Sequence, residues 1–151
     1  MNTTPAASTH SILFAYLLWI FGFTGSHRFY YGRPLTGILW FCTLGLLGIG
    51  WLVDLFLIPS MDRQADRRFT EGHFDYNITW LLLTFLGLFG VHRMYLGKWF
   101  SGLIFAVLSG LAALTGGFLF FLAIPCVIGL AYDFCTLNSQ ISERNLQRQK
   151  R

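Results

Sequence analysis

The chain has 151 residues, of which 54% are hydrophobic and only 12% are charged. A typical soluble domain carries about 25% charged residues, so eleven basic and seven acidic side chains are too few to cover a globule of this size. The mean hydropathy of +0.54 and the 16 Phe, 5 Trp and 16 Gly are typical of membrane helices. These figures exclude a soluble enzyme, a disordered tail and a disulfide-stapled secreted domain, and they predict an all-α integral membrane protein.

The net charge of +4 comes from basic residues scattered through short loops and the C-terminus. In an apolar chain this pattern predicts contact with anionic lipid headgroups rather than with nucleic acid. The three cysteines form no close-spaced metal pair. The sequence also has no phosphate loop and no Ser/His/Asp, Cys/His or paired-carboxylate arrangement. We therefore expect no bound metal, no cofactor and no enzymatic activity.

The chain contains an internal repeat. Residues 21–37 align without gaps to residues 86–102, and a second shared anchor, Ile-Gly-x-x-x-Asp, ends at Asp54 and at Asp133. The distance between the two anchors is longer by fourteen residues in the second copy. The seven ungapped identities are Gly22/Gly87, Gly25/Gly90, His27/His92, Arg28/Arg93, Tyr30/Tyr95, Gly32/Gly97 and Gly37/Gly102. So many identities of these residue types indicate a tandem duplication.

Each copy is predicted to hold a short apolar helix, a polar turn and a longer apolar segment. The expected organisation is a flexible leader (1–10), a first repeat (11–60), a polar charged linker (61–76), a second repeat (77–137) and a basic tail (138–151). The leader carries no Lys or Arg, so a cleavable signal peptide is not predicted. The tail is expected to be a frayed helix that lies against lipid headgroups.

The lengths of the apolar segments predict four membrane spans. Residues 11–25 and 77–91 are short for a hydrocarbon core of about 30 Å, whereas residues 35–58 are long enough to cross it as one helix. The run 101–132 is too long for one perpendicular span, and Thr115-Gly116-Gly117 and Pro125 are its expected break points. We favour one kinked or partly re-entrant element there, with a fifth span as the alternative.

The distribution of Lys and Arg predicts the orientation. With four spans, the linker and the C-terminus hold seven basic residues and the two motif turns hold four. This bias places both termini in the cytoplasm. Two spans per copy also predict parallel repeats, related by a pseudo-two-fold axis along the membrane normal.

The motif Gly-x-x-Gly-x-His-Arg-x-Tyr-x-Gly-(Arg/Lys), followed by a helix that ends in Gly-x-x-x-Asp, resembles the family named for its two-transmembrane ("TM-two") domain. The resemblance covers about residues 11–59 and 77–137. It implies a small helical membrane protein whose biochemical role is largely undefined. Animal members often carry Asp-Arg-Phe in the turn, so arguments from that acidic residue do not transfer to His27-Arg28-Phe29 or His92-Arg93-Met94. The compact size and bare repeats favour a bacterial inner membrane.

The two motif turns are the candidate site for a protein or lipid partner. Their glycines permit close approach and positive φ, the arginine fork suits helix-terminal carbonyls and lipid phosphate, and tyrosine suits the headgroup zone. The site residues are Gly25, His27, Arg28, Tyr30, Gly32, Arg33, Gly90, His92, Arg93, Tyr95, Gly97 and Lys98. Two interpretations stay open: a structural hairpin clamp anchored to phosphate, and a paired site for a partner or anionic ligand. As a bare histidine pair, His27 and His92 make a poor zinc site.

Asp54 and Asp133 interrupt apolar runs near their ends, where an ionisable residue suggests a function by default. Asp54 lies seventeen residues beyond Gly37, so a straight helix would carry it about 25 Å from the turn. We therefore expect no pairing between Arg28 and Asp54. Linker arginines such as Arg63 or Arg67, or water, are the expected partners. Both aspartates are interpreted as anchors of helix ends, and a small transporter or channel subunit that uses them is the alternative function.

Small residues recur at helical spacing in the second copy. Gly102, Ala106 and Gly110 fall on one face of the fourth apolar segment. Such a row predicts a close-packing seam, either within the chain or between two copies of it.

Overall fold

The computed structural model describes residues 8–20, 25–116 and 120–150. Within these ranges the chain is helical and contains no strand, which confirms the all-α class. The α-helices are α1 (Ile12–Ile20), α2 (Ser26–Tyr30), α3 (Pro34–Leu47), α4 (Ile49–Arg68), α5 (Tyr76–Leu86), α6 (Val91–Tyr95), α7 (Trp99–Leu114) and α8 (Ile124–Gln149). Two 3₁₀ turns, Gly87–Phe89 and Phe120–Ala123, precede α6 and α8.

The chain divides into two compact units. Unit 1 comprises residues 1–77 and 135–151, and unit 2 comprises residues 78–134. Each unit contains one copy of the motif together with the aspartate that follows it. Gly22, a predicted motif identity, and Gly117, a predicted break point, lie outside the described residues.

The predicted single helix over residues 35–58 is wrong, because the chain reverses between α3 and α4. The five residues from Leu44 to Gly48 all have positive φ, between 50° and 85°. The Thr43 hydroxyl donates to the Leu39 carbonyl at 2.7 Å and accepts from the Leu46 amide at 3.1 Å. The left-handed conformation costs about 1–2 kcal/mol for each non-glycine residue, and it turns α4 back against α3.

Helix α4 continues well beyond the first repeat, through the boundary expected at residue 60. Pro59 lies inside it and cannot donate a backbone hydrogen bond, which leaves the Leu55 carbonyl without its helical donor. The Tyr16 hydroxyl of α1 donates to that carbonyl at 3.4 Å. The first residues of the expected linker are therefore the last two turns of α4, in which Met61 and Ala65 are buried.

The fourth apolar run breaks where the sequence predicted. Helix α7 ends at Leu114, the Thr115 amide donates to the Leu111 carbonyl at 3.2 Å, and Gly116 has a φ of 61°. Pro125 is the second residue of α8, so it begins that helix rather than kinking it. In both copies, two helices occupy the long apolar segment.

The tail is helical as predicted but not frayed, because α8 runs without interruption to Gln149; its contact with headgroups stays a prediction. Leu137, Asn138, Ile141 and Asn145 are buried within unit 1 at helical spacing. Asn145 accepts from the Phe74 amide at 2.9 Å and donates to the Phe74 and Thr70 carbonyls, each at 3.1 Å. These bonds satisfy the linker backbone and fix the C-terminal half of α8 to unit 1.

Apolar side chains cover much of the described surface. Leu35, Leu47, Phe56 and Leu114 are each at least 80% exposed, as expected for residues solvated by lipid. Among the described helices, the stretch Phe120–Gln149 is long and apolar enough to cross a bilayer. Three other apolar helices, Pro34–Leu47, Tyr76–Phe89 and Trp99–Leu114, are shorter. The number of spans and the orientation therefore stay predictions. The expected separation of the linker from the first motif turn is wrong within unit 1, because the Tyr31 hydroxyl donates to Asp62 at 3.2 Å and Arg68 donates to the Gly32 carbonyl at 3.0 Å.

Candidate functional site: two buried His–Arg–Asp clusters

A left-handed glycine positions each motif turn. Gly25 has a φ of 76° and begins α2, and Gly90 has a φ of 69° and begins α6. A Cβ atom at Gly25 would lie 2.7 Å from the Cβ of Trp40, and one at Gly90 would lie 2.7 Å from the Gly102 carbonyl oxygen. Since any other residue would clash there, the glycines allow the turn to press against the next helix. The His-Arg pair that follows is thereby directed into the unit.

The first cluster joins His27 and Arg28 to Asp54. The Asp54 carboxylate accepts from Nε2 of His27 at 2.7 Å, from Nε of Arg28 at 2.8 Å and from Nη2 of Arg28 at 2.5 Å. Both carboxylate oxygens and two guanidinium nitrogens take part, which is the bidentate geometry of a strong ion pair. His27 and Asp54 are fully buried and Arg28 is 5% exposed, so lipid and water are excluded from the pair.

An aromatic ring covers the arginine of this cluster. The guanidinium carbon of Arg28 lies 3.5 Å from the centroid of the Trp40 ring, in cation–π contact. The same ring packs against Gly50, where an added Cβ would lie 2.8 Å from Cζ2 of Trp40. Gly50 precedes Asp54 by one helical turn. The glycine of the Gly-x-x-x-Asp anchor therefore makes room for the ring that seals the ion pair.

The second cluster repeats this arrangement with a difference at the arginine. The Asp133 carboxylate accepts from Nε2 of His92 at 2.8 Å and from Nε of Arg93 at 2.6 Å. Nη2 of Arg93 donates instead to the Gly129 carbonyl at 3.2 Å. The covering ring is Phe105, with its centroid 4.1 Å from the guanidinium carbon. The Arg93 side chain is 16% exposed, against 6% for the Arg28 side chain.

The prediction that Arg28 and Asp54 do not pair is therefore wrong. It assumed a straight helix from Gly37 to Asp54, whereas the reversal at 44–48 returns Asp54 to the level of the motif turn. Among the described residues, the ion-pair partners of Asp54 are His27 and Arg28 rather than the linker arginines Arg63 and Arg67. Asp54 and Asp133 are also interior residues of α4 and α8 rather than residues at helix ends.

The remaining predicted site residues lie around these clusters. Tyr30 is buried, and its hydroxyl contacts the Asn77 side chain and accepts from the Ser11 amide at 2.7 Å. Gly32 lies against the Phe69 ring, and Arg33 donates to the Gln64 side chain. Tyr95 and Lys98 are half-buried, and Gly97 is exposed.

The predicted small-residue seam is close-packed at one of its three positions. A Cβ atom on Gly102 would lie 2.6 Å from Cγ of Met94, so α7 approaches α6 closely there. Ala106 is half-buried, and a Cβ atom on Gly110 would have no described atom within 4 Å. A seam between two copies of the chain stays a prediction.

The hydrogen-bond geometry defines the proton arrangement of each cluster. In both copies Nε2 of the histidine lies within bonding distance of the carboxylate, and Nδ1 is buried with no hydrogen-bond partner among the described atoms. An imidazole that carries its proton on Nε2 satisfies the carboxylate and leaves Nδ1 as a bare acceptor. Arginine and aspartate cancel each other's charge, which suits the ion pair to an apolar surrounding.

Sequence reasoning missed the covering rings, although a signal was present. Trp40 and Phe105 occupy aligned positions, three residues after Gly37 and Gly102. An aromatic residue at the same place in both copies, together with the glycine of the second anchor, could have indicated a ring packed over a cation. The aspartate partner was missed because the reversal after Thr43 was missed.

Comparison with known proteins agrees with this motif. A family model described as "TM2 domain" matches residues 8–56 and 74–133, more than half of the chain. The chain belongs to the TM2 domain family. Both copies of the motif lie inside the matched segments, including His27, Arg28, His92 and Arg93. Asp54 and Asp133 lie at or near the ends of these segments.

Relatives share the TM2 domain over limited segments. A TM2 domain-containing protein of Dictyostelium discoideum is 49% identical over 63 residues, which is 41% of either chain. Another from the same organism is 55% identical over 47 residues, 30% of this chain and 34% of the relative. The human TM2 domain-containing protein 1 is 54% identical over 37 residues, 24% of this chain and 18% of the relative. The match therefore spans less than half of each of these relatives.

These comparisons also bear on location. The relatives named above are eukaryotic, so they give no support to the expected bacterial inner membrane. The membrane character of the chain follows from its family and from its apolar helices. No solved structure matches this chain significantly.

Proposed function

We propose that this TM2 protein is a non-enzymatic membrane module that binds anionic lipid headgroups through its two motif turns. The observation that carries the proposal is that the two cations of each turn have different surroundings. Arg28 and Arg93 are compensated by buried aspartates and hold the turn in place. Arg33 and Lys98 lie five residues further on, at the beginnings of α3 and α7, and their side chains remain partly exposed.

The surroundings of Lys98 favour lipid as the ligand. Trp99 is 69% exposed and Phe100 is 80% exposed. A cation followed by exposed aromatic residues is the pattern of a membrane interface, where rings sit at the headgroup level and the ammonium reaches lipid phosphate. In the first turn, Leu35 is exposed directly after Arg33 and Pro34. Partial burial, together with the charge of Arg28, lowers the pKa of Arg33, and an anion beside it would relieve this cost.

The buried clusters act in this function as positioning elements. Because Asp54 and Asp133 hold Arg28 and Arg93 inside the units, Arg33 and Lys98 are the cations of the two turns that remain available at the partly exposed surface. The earlier interpretation, in which Arg28 and Arg93 themselves contact the partner, would require each to leave its carboxylate. That exchange would leave the aspartate buried without a counter-ion, which costs several kcal/mol.

The test is photo-crosslinking in phosphatidylcholine nanodiscs that contain a photoactivatable phosphatidylserine. Each cation near an anionic surface contributes about 1 kcal/mol, so Arg33→Gln with Lys98→Gln should lower the relative crosslinking affinity about 30-fold. Arg63→Gln with Arg67→Gln, at exposed positions of α4, makes the same change in net charge and should have a much smaller effect.

Two results would contradict the lipid proposal. Equal losses in both double variants would mean that only net charge matters. A protein recovered from native membranes by a probe at Met94, with lipid crosslinking unchanged by Lys98→Gln, would indicate a protein partner at the turns. Preserved unfolding temperature in each variant confirms that the fold is intact.

A small transporter or channel subunit that uses Asp54 and Asp133 is the second candidate. Ionisable residues buried in apolar helices favour it in general, and both aspartates are buried here. Each carboxylate already has an arginine, however, which a transported cation would have to displace. Unchanged ion flux in vesicles that contain Asp54→Asn and Asp133→Asn, with wild-type flux above background, would exclude this role.

A further inference from the structure

An aromatic cage in unit 1 encloses His10, a residue that the lipid proposal does not use. The ring centroids of Tyr30 and Tyr76 each lie 4.8 Å from the centroid of the imidazole, and those of Phe69 and Tyr31 lie 5.7 and 5.8 Å away. His10 is 3% exposed and Thr9 is 4% exposed. The end of the expected flexible leader is thus docked, whereas residues 1–7 lie outside the described ranges.

A chain of hydrogen bonds defines which nitrogen of His10 carries the proton. The amide and the hydroxyl of Thr9 both donate to Oδ1 of Asp66, at 2.7 and 2.9 Å. The hydroxyl has one hydrogen, and it is used by the carboxylate. Nδ1 of His10, 2.7 Å from the same hydroxyl oxygen, must therefore be the donor. Nε2 remains as a bare acceptor, buried with no hydrogen-bond partner among the described atoms.

Protonation would add an N–H group at that bare nitrogen. Burial opposes the charge that this proton brings, and it outweighs the hydrogen bonds that the Tyr30 backbone and the Asn138 side chain offer the charged ring. When the segment is released into water, the imidazole is hydrated and can bind a proton without this cost. The docked and released forms of the segment therefore differ in their affinity for a proton, which is the requirement for a pH-driven transition.

The groups that face His10 come from every element around it. Burial opposes a charged imidazole, whereas Asp66 of α4, hydrogen bonds to the Tyr30 backbone and the Asn138 side chain, and Asp75 before α5 favour it. Burial is the larger effect, and it lowers the pKa of His10 to about 4. Burial raises the pKa values of Tyr30 and Tyr31, and that of Tyr76 to about 12, so these phenols stay neutral. The other neighbours are Asn138 of α8, Asp62 beside Tyr31, and Arg68, whose guanidinium lies 5.3 Å from the Phe69 ring.

We propose that His10 is an acid-released latch that fastens residues 9–11 to the polar end of unit 1. The closed form is fully favoured at pH 8, where the imidazole is neutral whether docked or free. It weakens as the pH falls toward about 4, because the released imidazole binds a proton before the docked one does. Since the pKa of His10 is 6.5 when the segment is free and about 4 when it is docked, the closed-to-open ratio should fall about 30-fold between pH 8 and pH 5. Burial and the charge of Asp66 raise the pKa of Asp62, so variants of His10 are needed to separate its titration from that of Asp62.

Amide hydrogen exchange of the full chain in nanodiscs tests the latch directly. The Thr9 amide donates to Asp66, and the Ser11 amide lies 2.7 Å from the Tyr30 hydroxyl oxygen and 2.9 Å from Oδ1 of Asn77, so both exchange only when the segment opens. After correction for intrinsic exchange rates, their protection should fall about 30-fold from pH 8 to pH 5 in the wild type. Amides inside α4 should keep constant protection over the same range.

Three variants identify the titrating group. His10→Phe keeps a ring in the cage without a titratable nitrogen, and His10→Gln is a smaller replacement in case phenylalanine does not fit. A pH-independent protection in either, or loss of protection at both pH values in both, supports His10 as the latch. His73→Phe changes an exposed histidine of the same unit and should behave as wild type. Constant protection in the wild type, or the same fall in both His10 variants, would overturn the proposal.

Discussion

The two repeats form the same cluster from the same three residue types, but they bury it to different degrees. In the first, Arg28 gives two nitrogens to Asp54 and lies under the indole of Trp40. In the second, Arg93 divides its nitrogens between Asp133 and a backbone carbonyl and lies under a phenyl ring. The larger ring accompanies the more completely buried ion pair. The two copies therefore share the pairing and differ both in the covering ring and in the burial of the arginine.

The largest expected effect comes from removing one aspartate at a time. Asp54→Ala leaves Arg28 and His27 buried without an acceptor, and it should lower the free energy of unfolding by about 3–5 kcal/mol. Asp133→Ala should cost less, about 1–3 kcal/mol as for a buried group that loses its hydrogen bond, because Arg93 keeps its bond to Gly129 and has some exposure. Reversible unfolding in mixed micelles, followed by tryptophan fluorescence, measures both. Glu71→Ala is the exposed control, and equal losses at Asp54 and Asp133 would contradict the comparison.

A smaller effect should follow from filling the space beneath the rings. A Cβ atom at Gly50 would lie 2.8 Å from Trp40, and one at Gly129 would lie 2.4 Å from Phe105. Gly→Ala inside a helix normally stabilises by about 1 kcal/mol, but overpacking should make both substitutions destabilising by about 1–3 kcal/mol. The matched control is Gly110→Ala, a helical site with open space around it, which should be stabilising. The same unfolding titration decides, and three stabilising substitutions would show that the rings are not tightly held.

The smallest expected effect concerns the contact between Trp19 and Trp51 in the first repeat. The second repeat has Thr84 and Leu130 at the aligned positions. The indoles of Trp19 and Trp51 stack at 4.4 Å, and each donates to the other residue's carbonyl at 2.8 Å. Trp51→Phe keeps a ring and removes one of these bonds, so it should cost about 0.5–1.5 kcal/mol. Trp99→Phe alters an exposed ring and should change stability by less than about 0.5 kcal/mol. A loss at Trp51 no larger than that at Trp99 would remove the indole pair as a stabilising contact.

The sequence predicted the class, the duplication and the break near Thr115, because composition, repeated residues and a Thr-Gly-Gly run are local signals. It did not predict the reversal between α3 and α4, since the residues there are apolar and read as a continuous helix. Gly45, Gly48 and Gly50, three glycines within six residues, were the available warning. That single omission placed Asp54 at the wrong end of its segment and hid the ion pair.

Other features could not be derived from local pattern. The burial of His10 depends on Tyr30, Phe69 and Tyr76, which are distant in sequence and meet only after folding. The C-terminal half of α8 reads as a polar tail, and its order depends on Asn145 meeting the backbone of the linker at Phe74. Such contacts are long-range, whereas helical periodicity reports only on neighbours within a few residues.

The separation of each arginine from its aspartate also has a consequence for biosynthesis. Asp54 follows Arg28 by 26 residues, and Asp133 follows Arg93 by 40. Protein synthesis proceeds at about 5–20 residues per second, so the counter-ion is synthesised about 1–5 s after the first arginine and about 2–8 s after the second. An arginine alone in the hydrocarbon core costs at least about 2.5–3.5 kcal/mol. Each nascent turn must therefore stay near water or headgroups until the ribosome delivers its aspartate, and the second repeat has the longer wait.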